Sequence, residues 1–167
     1  MVREAESIDV QALATEIERA IQALPVRNTP AQRRVRRAYS KRVQDAPAEQ
    51  VLALAHVLHR EYGRRWLGLE LVRDHDAAFA SLGPDEVEAL GAGIDSWSAV
   101  DSFARTIAGP AWLAGQVSDE RIQTWARLED LWWRRTALVS TVALNVRSQG
   151  GYGDARRTLA VCRLLVD

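Results

Sequence analysis

Two short stretches of this chain set charge beside aromatic surface at helical spacing. Trp97-Ser-Ala-Val-Asp101 puts an indole and a carboxylate four residues apart, so both lie on one face of a helix. The indole face attracts positive charge through its quadrupole, and the carboxylate attracts it directly. Side by side they form a pocket for a cation, or for a group that gains positive charge as it reacts. The second stretch is Trp132-Trp-Arg-Arg135. In a helix over 131–146, steps of about 100° per residue place Arg135 in the middle of an apolar stripe. That stripe is Leu131, Leu138, Val139, Val142 and Val146. Arg134 falls on the polar side with Thr141 and Asn145. A lone guanidinium in an apolar stripe is costly, so Arg135 must meet an acid, a carbonyl or an external anion.

Plainer readings of the same residues stand beside these. Asp101 could pair with Arg105 on the surface, with Trp97 packed as core. Arg135 could complete an ion pair inside the domain. A third feature is a basic stripe, Arg33, Arg34, Arg37 and Lys41, opposite Val35, Ala38 and Tyr39. Such a stripe can follow a phosphate backbone. It could equally be a solvated face paired with the first helix through Glu16 and Glu18.

The elements that must position these residues are all helical. Apolar positions recur at helical spacing, and no period-2 run flanked by hairpin turns occurs. The first helix is expected from Asp9 to Leu24, with Leu13, Ile17, Ala20, Ile21 and Leu24 on one face and Pro25 ending it. Thr29 is expected to cap a second helix, with Pro30 at its first position, reaching Val43. A third runs from Glu49 to Arg60 and is broken by Gly63. A fourth runs from Arg64 to Arg73, and Asp74-His-Asp is a connector. Short helices follow at 77–82 and 84–90. Asp95 or Ser96 caps the helix that carries Trp97 and Asp101, whose core stripe is Val100, Phe103, Ala104 and Ile107. It should stop near Gly109-Pro110. Two more span 120–128 and 131–146, and a last one begins near Asp154 and runs to the end.

Helices in pairs of roughly 30–40 residues point to HEAT-like repeats stacked as a curved α-solenoid over a single domain, residues 1–167. An irregular helical bundle is the alternative. Leu159, Cys162, Leu165 and Val166 form an apolar stripe at the C-terminal end, where a solenoid wants a polar cap. The expectation is a C-terminally truncated array or a covering partner.

Composition bounds the function classes. With 47% hydrophobic and 26% charged residues, the chain fits an ordinary globular domain. No apolar run approaches the ~18 residues of a membrane span, and the acidic start, Met1 to Ser7, lacks the apolar segment of a signal peptide. Cys162 is the single cysteine, which leaves no intrachain disulfide and no thiol metal site. His56 and His59 could share a face but lack a completing cluster. They and His75 are read as structural, and no metal or cofactor is expected. A cytoplasmic location is the default, and a nucleoid-associated monomer is the expectation. Net charge is zero, yet from Arg19 to Gln44 there are eight basic residues and no acid. Of 22 basic residues, 21 are arginine, which suits bidentate phosphate contacts. Trp66, Trp112 and Trp125 are read as core.

On these residues the chain resembles the AlkD-type DNA alkylation repair family of HEAT-like-repeat DNA glycosylases. The family pattern is a Ser-Trp-x-x-Val-Asp helix, a Gly, then a Trp before a Trp-x-x-Arg helix. Here it reads Ser96-Trp97-Ser-Ala-Val100-Asp101, Gly109, Trp125 and Trp132-Trp-Arg-Arg135. Asn28-Thr-Pro followed by Arg33 to Arg42 resembles the family's second helix. The resemblance implies that Trp97 is the active-site tryptophan, Asp101 the catalytic carboxylate and Arg135 the active-site arginine. It implies hydrolysis of the N-glycosidic bond of N3- or N7-alkylated purines in double-stranded DNA. It also implies no flipping of the base into a pocket, unlike most glycosylases. Family members carry a further helical pair that adds another tryptophan to the site, and this chain ends before it. Arg33, Arg34, Arg37, Lys41 and Arg134 would then hold the DNA backbone. Two other classes stay open: a non-catalytic DNA-structure-binding scaffold, and a helical-repeat protein–protein adaptor.

Overall fold

Asp9 opens the first helix by accepting the Ala12 amide on its side chain at 3.0 Å, which satisfies one orphan donor of the first turn. A computed structural model describes residues 6–166; Met1 to Ala5, with the acidic Glu4, and Asp167 lie outside the described residues. All regular structure among the described residues is helical, with no strand. None of those helices is long and apolar enough to cross a membrane. The helices group into two units, one up to Ser81 and one from Leu82.

The first unit contains α1 (Val10–Gln22), α2 (Thr29–Arg42), α3 (Ala48–Tyr62), α4 (Arg65–Asp74) and the short α5 (Asp76–Ala80). The i, i+4 apolar positions of α1 put Leu13, Ile17 and Ile21 into the core; α1 packs on α3, which buries Leu54 and Leu58. Gly63 ends α3 with a positive φ of 66°. Its amide donates to the His59 carbonyl, and the Arg64 amide reaches back to Leu58 at 2.8 Å. This is a left-handed helix stop that a β-carbon would strain. The turn lays α4 on α3, burying Leu67, Leu69 and Leu71.

Two local expectations are corrected here. Asn28, not Thr29, caps α2, its side chain accepting the Ala31 amide at 2.9 Å. Thr29 is therefore the first helical residue and Pro30 the second. His75 is more than part of a connector, for it caps α5. Its Nδ1 accepts the Ala78 amide at 3.0 Å, and its Nε2 lies 3.1 Å from the Ala46 carbonyl.

The second unit contains α6 (Pro84–Gly91), α7 (Trp97–Phe103), α8 (Gly109–Leu113), α9 (Asp119–Ala126), α10 (Leu131–Asn145) and α11 (Ala155–Arg163). α10 lies at its centre and packs on α7, α8, α9 and α11. The chain does not stop at Gly109-Pro110. It passes from α7 into α8 through one π turn, Ala104–Ala108. Pro110 has no N–H to donate, and its ring crowds the carbonyl one turn back. The wider π turn absorbs both problems, with the Gly109 amide donating to Ala104 five residues earlier.

Candidate active site

Ser96 caps α7 through its hydroxyl, which accepts the Ala99 amide at 3.4 Å. Val100 and Phe103 of α7, with Ala104 and Ile107 of the π turn, are fully buried. The core stripe is therefore the one the periodicity predicts. With that stripe inward, Trp97 and Asp101 must face outward. Trp97 is 66% exposed, which removes the reading of Trp97 as core packing.

α10 starts at Asp130, whose carboxylate accepts the amides of Trp132 at 2.7 Å and Trp133 at 3.1 Å. Trp133 then pins the first turn. Its ring meets Phe103 edge-on at 6.0 Å and Trp125 at 5.0 Å. Trp125 is itself fixed, its indole N–H donating to Glu88 at 2.6 Å. Burial pushes the Glu88 carboxyl up, but hydrogen bonds from Arg121 and Trp125 outweigh it and hold Glu88 below the ordinary carboxylate range.

With Trp133 turned inward, Trp132 and Arg135 turn to the other side. Arg135 reaches across to α7. Its guanidinium carbon stands 3.6 Å from the centroid of the Trp97 ring. Its Nη2 donates to Asp101 Oδ1 at 2.9 Å. One cation thus touches both the indole face and the carboxylate. Asp101 pairs with Arg135 rather than Arg105, so the Asp101–Arg105 alternative is also removed. Beside this trio lies an open cavity of about 230 Å³. Its lining combines the apolar Trp97, Leu131, Trp132, Leu138 and Leu165 with Arg134 and Arg135.

α10 differs from its expected orientation. The apolar periodicity predicts that the large apolar residues mark the core face. The buried residues are instead Thr136, Ala137, Ser140, Thr141, Ala143 and Leu144, while Leu131 is 63% and Leu138 39% exposed. The reason is closeness. A β-carbon on Gly109 would stand 2.7 Å from the Ser140 carbonyl oxygen and 2.9 Å from the Ala143 β-carbon, so only small side chains fit between α8 and α10. The buried hydroxyls of Thr136 and Ser140 are satisfied by carbonyls one turn back, at 2.8 and 2.7 Å. Leu131 and Leu138 of the stripe around Arg135 are therefore cavity wall, and Arg134 lines that cavity rather than sharing a polar side with the buried Thr141. The sequence signal for this is the small residues Ala137, Ser140 and Ala143 recurring every three positions, of which Ser140 and Ala143 stand against Gly109.

In the first unit, Arg33, Arg34, Arg37 and Lys41 are all exposed along α2. Among the described residues none of them has an ion pair. Glu16 and Glu18, the acids expected to pair with that face, serve others. Glu16 takes Arg42 and the Tyr39 hydroxyl. Glu18 takes Arg64 through two bonds, 2.7 and 2.9 Å. The remaining α2 cation facing inward, Arg36, pairs with Glu70 at 2.7 Å and with Asp74. Trp112 and Trp125 are buried, and Trp66 is half-buried. His59 Nε2 accepts from Arg65 at 2.6 Å.

Comparison with protein families finds one whose profile, described as DNA alkylation repair enzyme, matches residues 18–167. No curated protein matches, and no solved structure does.

Proposed function

The chain belongs to the DNA alkylation repair enzyme family, and on that premise we propose that it hydrolyses the N-glycosidic bond of cationic N3- or N7-alkylated purines in duplex DNA. One observation carries this reading. The Trp97 face and the Asp101 carboxylate converge on a single positive charge, that of Arg135, in a part of the surface open to a large partner.

The chemistry follows from where charge sits. An alkylated purine already carries positive charge, so it departs as a neutral base and needs no proton from a general acid. Breaking the C1′–N bond leaves positive charge on the deoxyribose as an oxocarbenium ion. A carboxylate fixed beside that carbon stabilises the charge as it forms, as in glycoside hydrolysis. Asp101 takes that role and orients the water that adds to C1′, the water's proton passing to solvent. Trp97 packs on the sugar and adds cation–π attraction. Arg135, released from Asp101, takes a phosphate near the lesion. Arg134 supports it from the same cavity edge. In the first unit, the exposed face of Arg33, Arg34, Arg37 and Lys41 holds backbone phosphates without sequence preference.

The test is release of free 7-methylguanine from duplex DNA, run beside Asp101→Asn. Release by the native chain, reduced about 10²–10³-fold or more in the variant with DNA binding kept, is the expected result. DNA binding by the native chain with no base release would sink the enzymatic reading and leave a DNA-binding scaffold. An absence of DNA binding would favour the protein–protein adaptor.

A further inference from the structure

The Trp97–Asp101 pocket is already filled. We propose that it is a binding site for planar, delocalised monocations, and that Arg135 is its resident occupant, which must leave before another cation can enter. The proposal rests on the glycosylase reading only for which cation arrives.

A guanidinium is flat, with its charge spread over several atoms. Its carbon lies 3.6 Å from the Trp97 ring centroid, a stacking distance, while one of its nitrogens is 2.9 Å from Asp101 Oδ1. An oxocarbenium sugar and an alkylpurinium are flat, delocalised monocations too. One indole face and one carboxylate cannot serve two such groups at once. Arg135 and the incoming cation are therefore competitors for the same contacts.

Two features make the resident cation removable. The pair is only partly shielded from solvent, with Asp101 48% and Arg135 23% exposed, and solvent weakens such a pair. The resting guanidinium is also incompletely satisfied, because its Nε is buried with no acceptor. A phosphate brings several acceptor oxygens and can meet donors that Asp101 leaves unmet. The neighbouring cavity of about 230 Å³ gives the side chain space to swing, and Arg134 at its edge offers a second cation to the same anion. In the free protein Asp101 is thus neutralised by Arg135. Its charge is free for another cation only when an anionic backbone draws Arg135 away.

The competition can be measured without DNA or catalysis. The probe is 1-methylquinolinium chloride, a flat and permanently charged aromatic cation, with neutral quinoline as control, titrated by calorimetry. Arg135→Gln should bind the cation about tenfold tighter than the native chain. Adding Trp97→Leu to Arg135→Gln should abolish the gain, and quinoline should show none. Arg135→Lys keeps the charge but loses the flat stack, so it should fall between native and Arg135→Gln. That comparison also decides the matter if Arg135→Gln does not fold. Equal affinity in native, Arg135→Lys and Arg135→Gln proteins, or equal affinity for quinoline, would overturn the proposal. So would no measurable binding by any variant. Cation binding as predicted with no 7-methylguanine release sinks the glycosylase reading and spares this one. Release without Arg135-dependent binding does the reverse.

Discussion

Gly109 and Ser140 meet backbone to backbone: a β-carbon on Gly109 would stand 2.7 Å from the Ser140 carbonyl oxygen. This contact sets how deeply α10 sits against the π turn and α8, and with it the reach of Arg135 toward Asp101 on α7. Gly109→Ala has no flexible neighbour to displace, since the obstacles are the Ser140 and Ala104 carbonyls and the Ala143 β-carbon. The substitution should destabilise the protein by about 1–3 kcal/mol, the usual range for overpacking. Urea unfolding measures this, and an unchanged midpoint would mean that α10 shifts freely and that the registration argument is wrong. The same substitution should lower base release beyond the loss of folded protein, because it moves Arg135.

Trp97 and Trp125 make opposite predictions although both are tryptophans on helices of the same unit. Trp97 is 66% exposed and Trp125 is 1% exposed. Trp125 also donates to Glu88 and supports Trp133. Trp97→Ala should change stability by no more than about 0.5 kcal/mol, as surface substitutions do, while removing most base release. Trp125→Ala should cost about 3–5 kcal/mol. Thermal unfolding of both variants distinguishes the two roles. A large loss from Trp97→Ala would return it to a packing role.

Much of this was legible from residue order, and the parts that were not share a cause. Caps and apolar spacing located the helices, because those signals are local: Asp9, Asn28-Thr-Pro, Ser96 and Asp154 each sit at a helix start. The α7 stripe was legible for the same reason. The orientation of α10 was not, because it depends on Gly109, about thirty positions upstream in sequence. Hydrophobicity points to Leu131 and Leu138 as core, whereas steric closeness selects Ser140 and Ala143. The anomaly at Arg135 was visible, and its partner was not. Of the acid, carbonyl or anion that could meet it, only the fold identifies Asp101, 34 residues away. The π turn was missed because Pro110 reads as a helix stop when the wider turn is not considered.

Acid should weaken the first unit in a window set by two histidines. Burial lowers His56 and His59 from their ordinary 6.5, and nearby Arg60 and Arg65 lower them further. A base with a depressed folded value binds fewer protons when folded than when unfolded. Stability therefore falls as pH drops through about 6.5 and levels off below the folded values. The Arg65 donation to His59 Nε2 needs that nitrogen unprotonated, which gives the same sign. A second decline should follow below 4.5. There Glu18 and Glu88, whose hydrogen bonds with Arg64 and Arg121 lower them, take up protons. Urea midpoints at pH 7.5 and 5.5 should differ, and His59→Gln should reduce the difference. A flat profile across that interval would contradict the histidine account.

The α2 face gives the prediction that separates DNA binding from every other reading. Arg33, Arg34, Arg37 and Lys41 have no carboxylate partner among the described residues, whereas Arg36, on the same helix, is held by Glu70 and Asp74. Fold stability needs the second kind of cation and not the first. Replacing the four unpaired residues with glutamine should leave the unfolding midpoint within about 0.5 kcal/mol of native. It should also reduce the salt dependence of duplex affinity. Each lost phosphate contact lowers the log–log slope by about 0.9, so four contacts should remove between about 3 and 4. Arg36→Gln should do the opposite, costing stability while leaving the slope near native. Fluorescence anisotropy with an unmodified duplex across a salt series provides the slope. If the fourfold variant kept the native slope, the α2 face would not be the backbone contact, even if base release were intact.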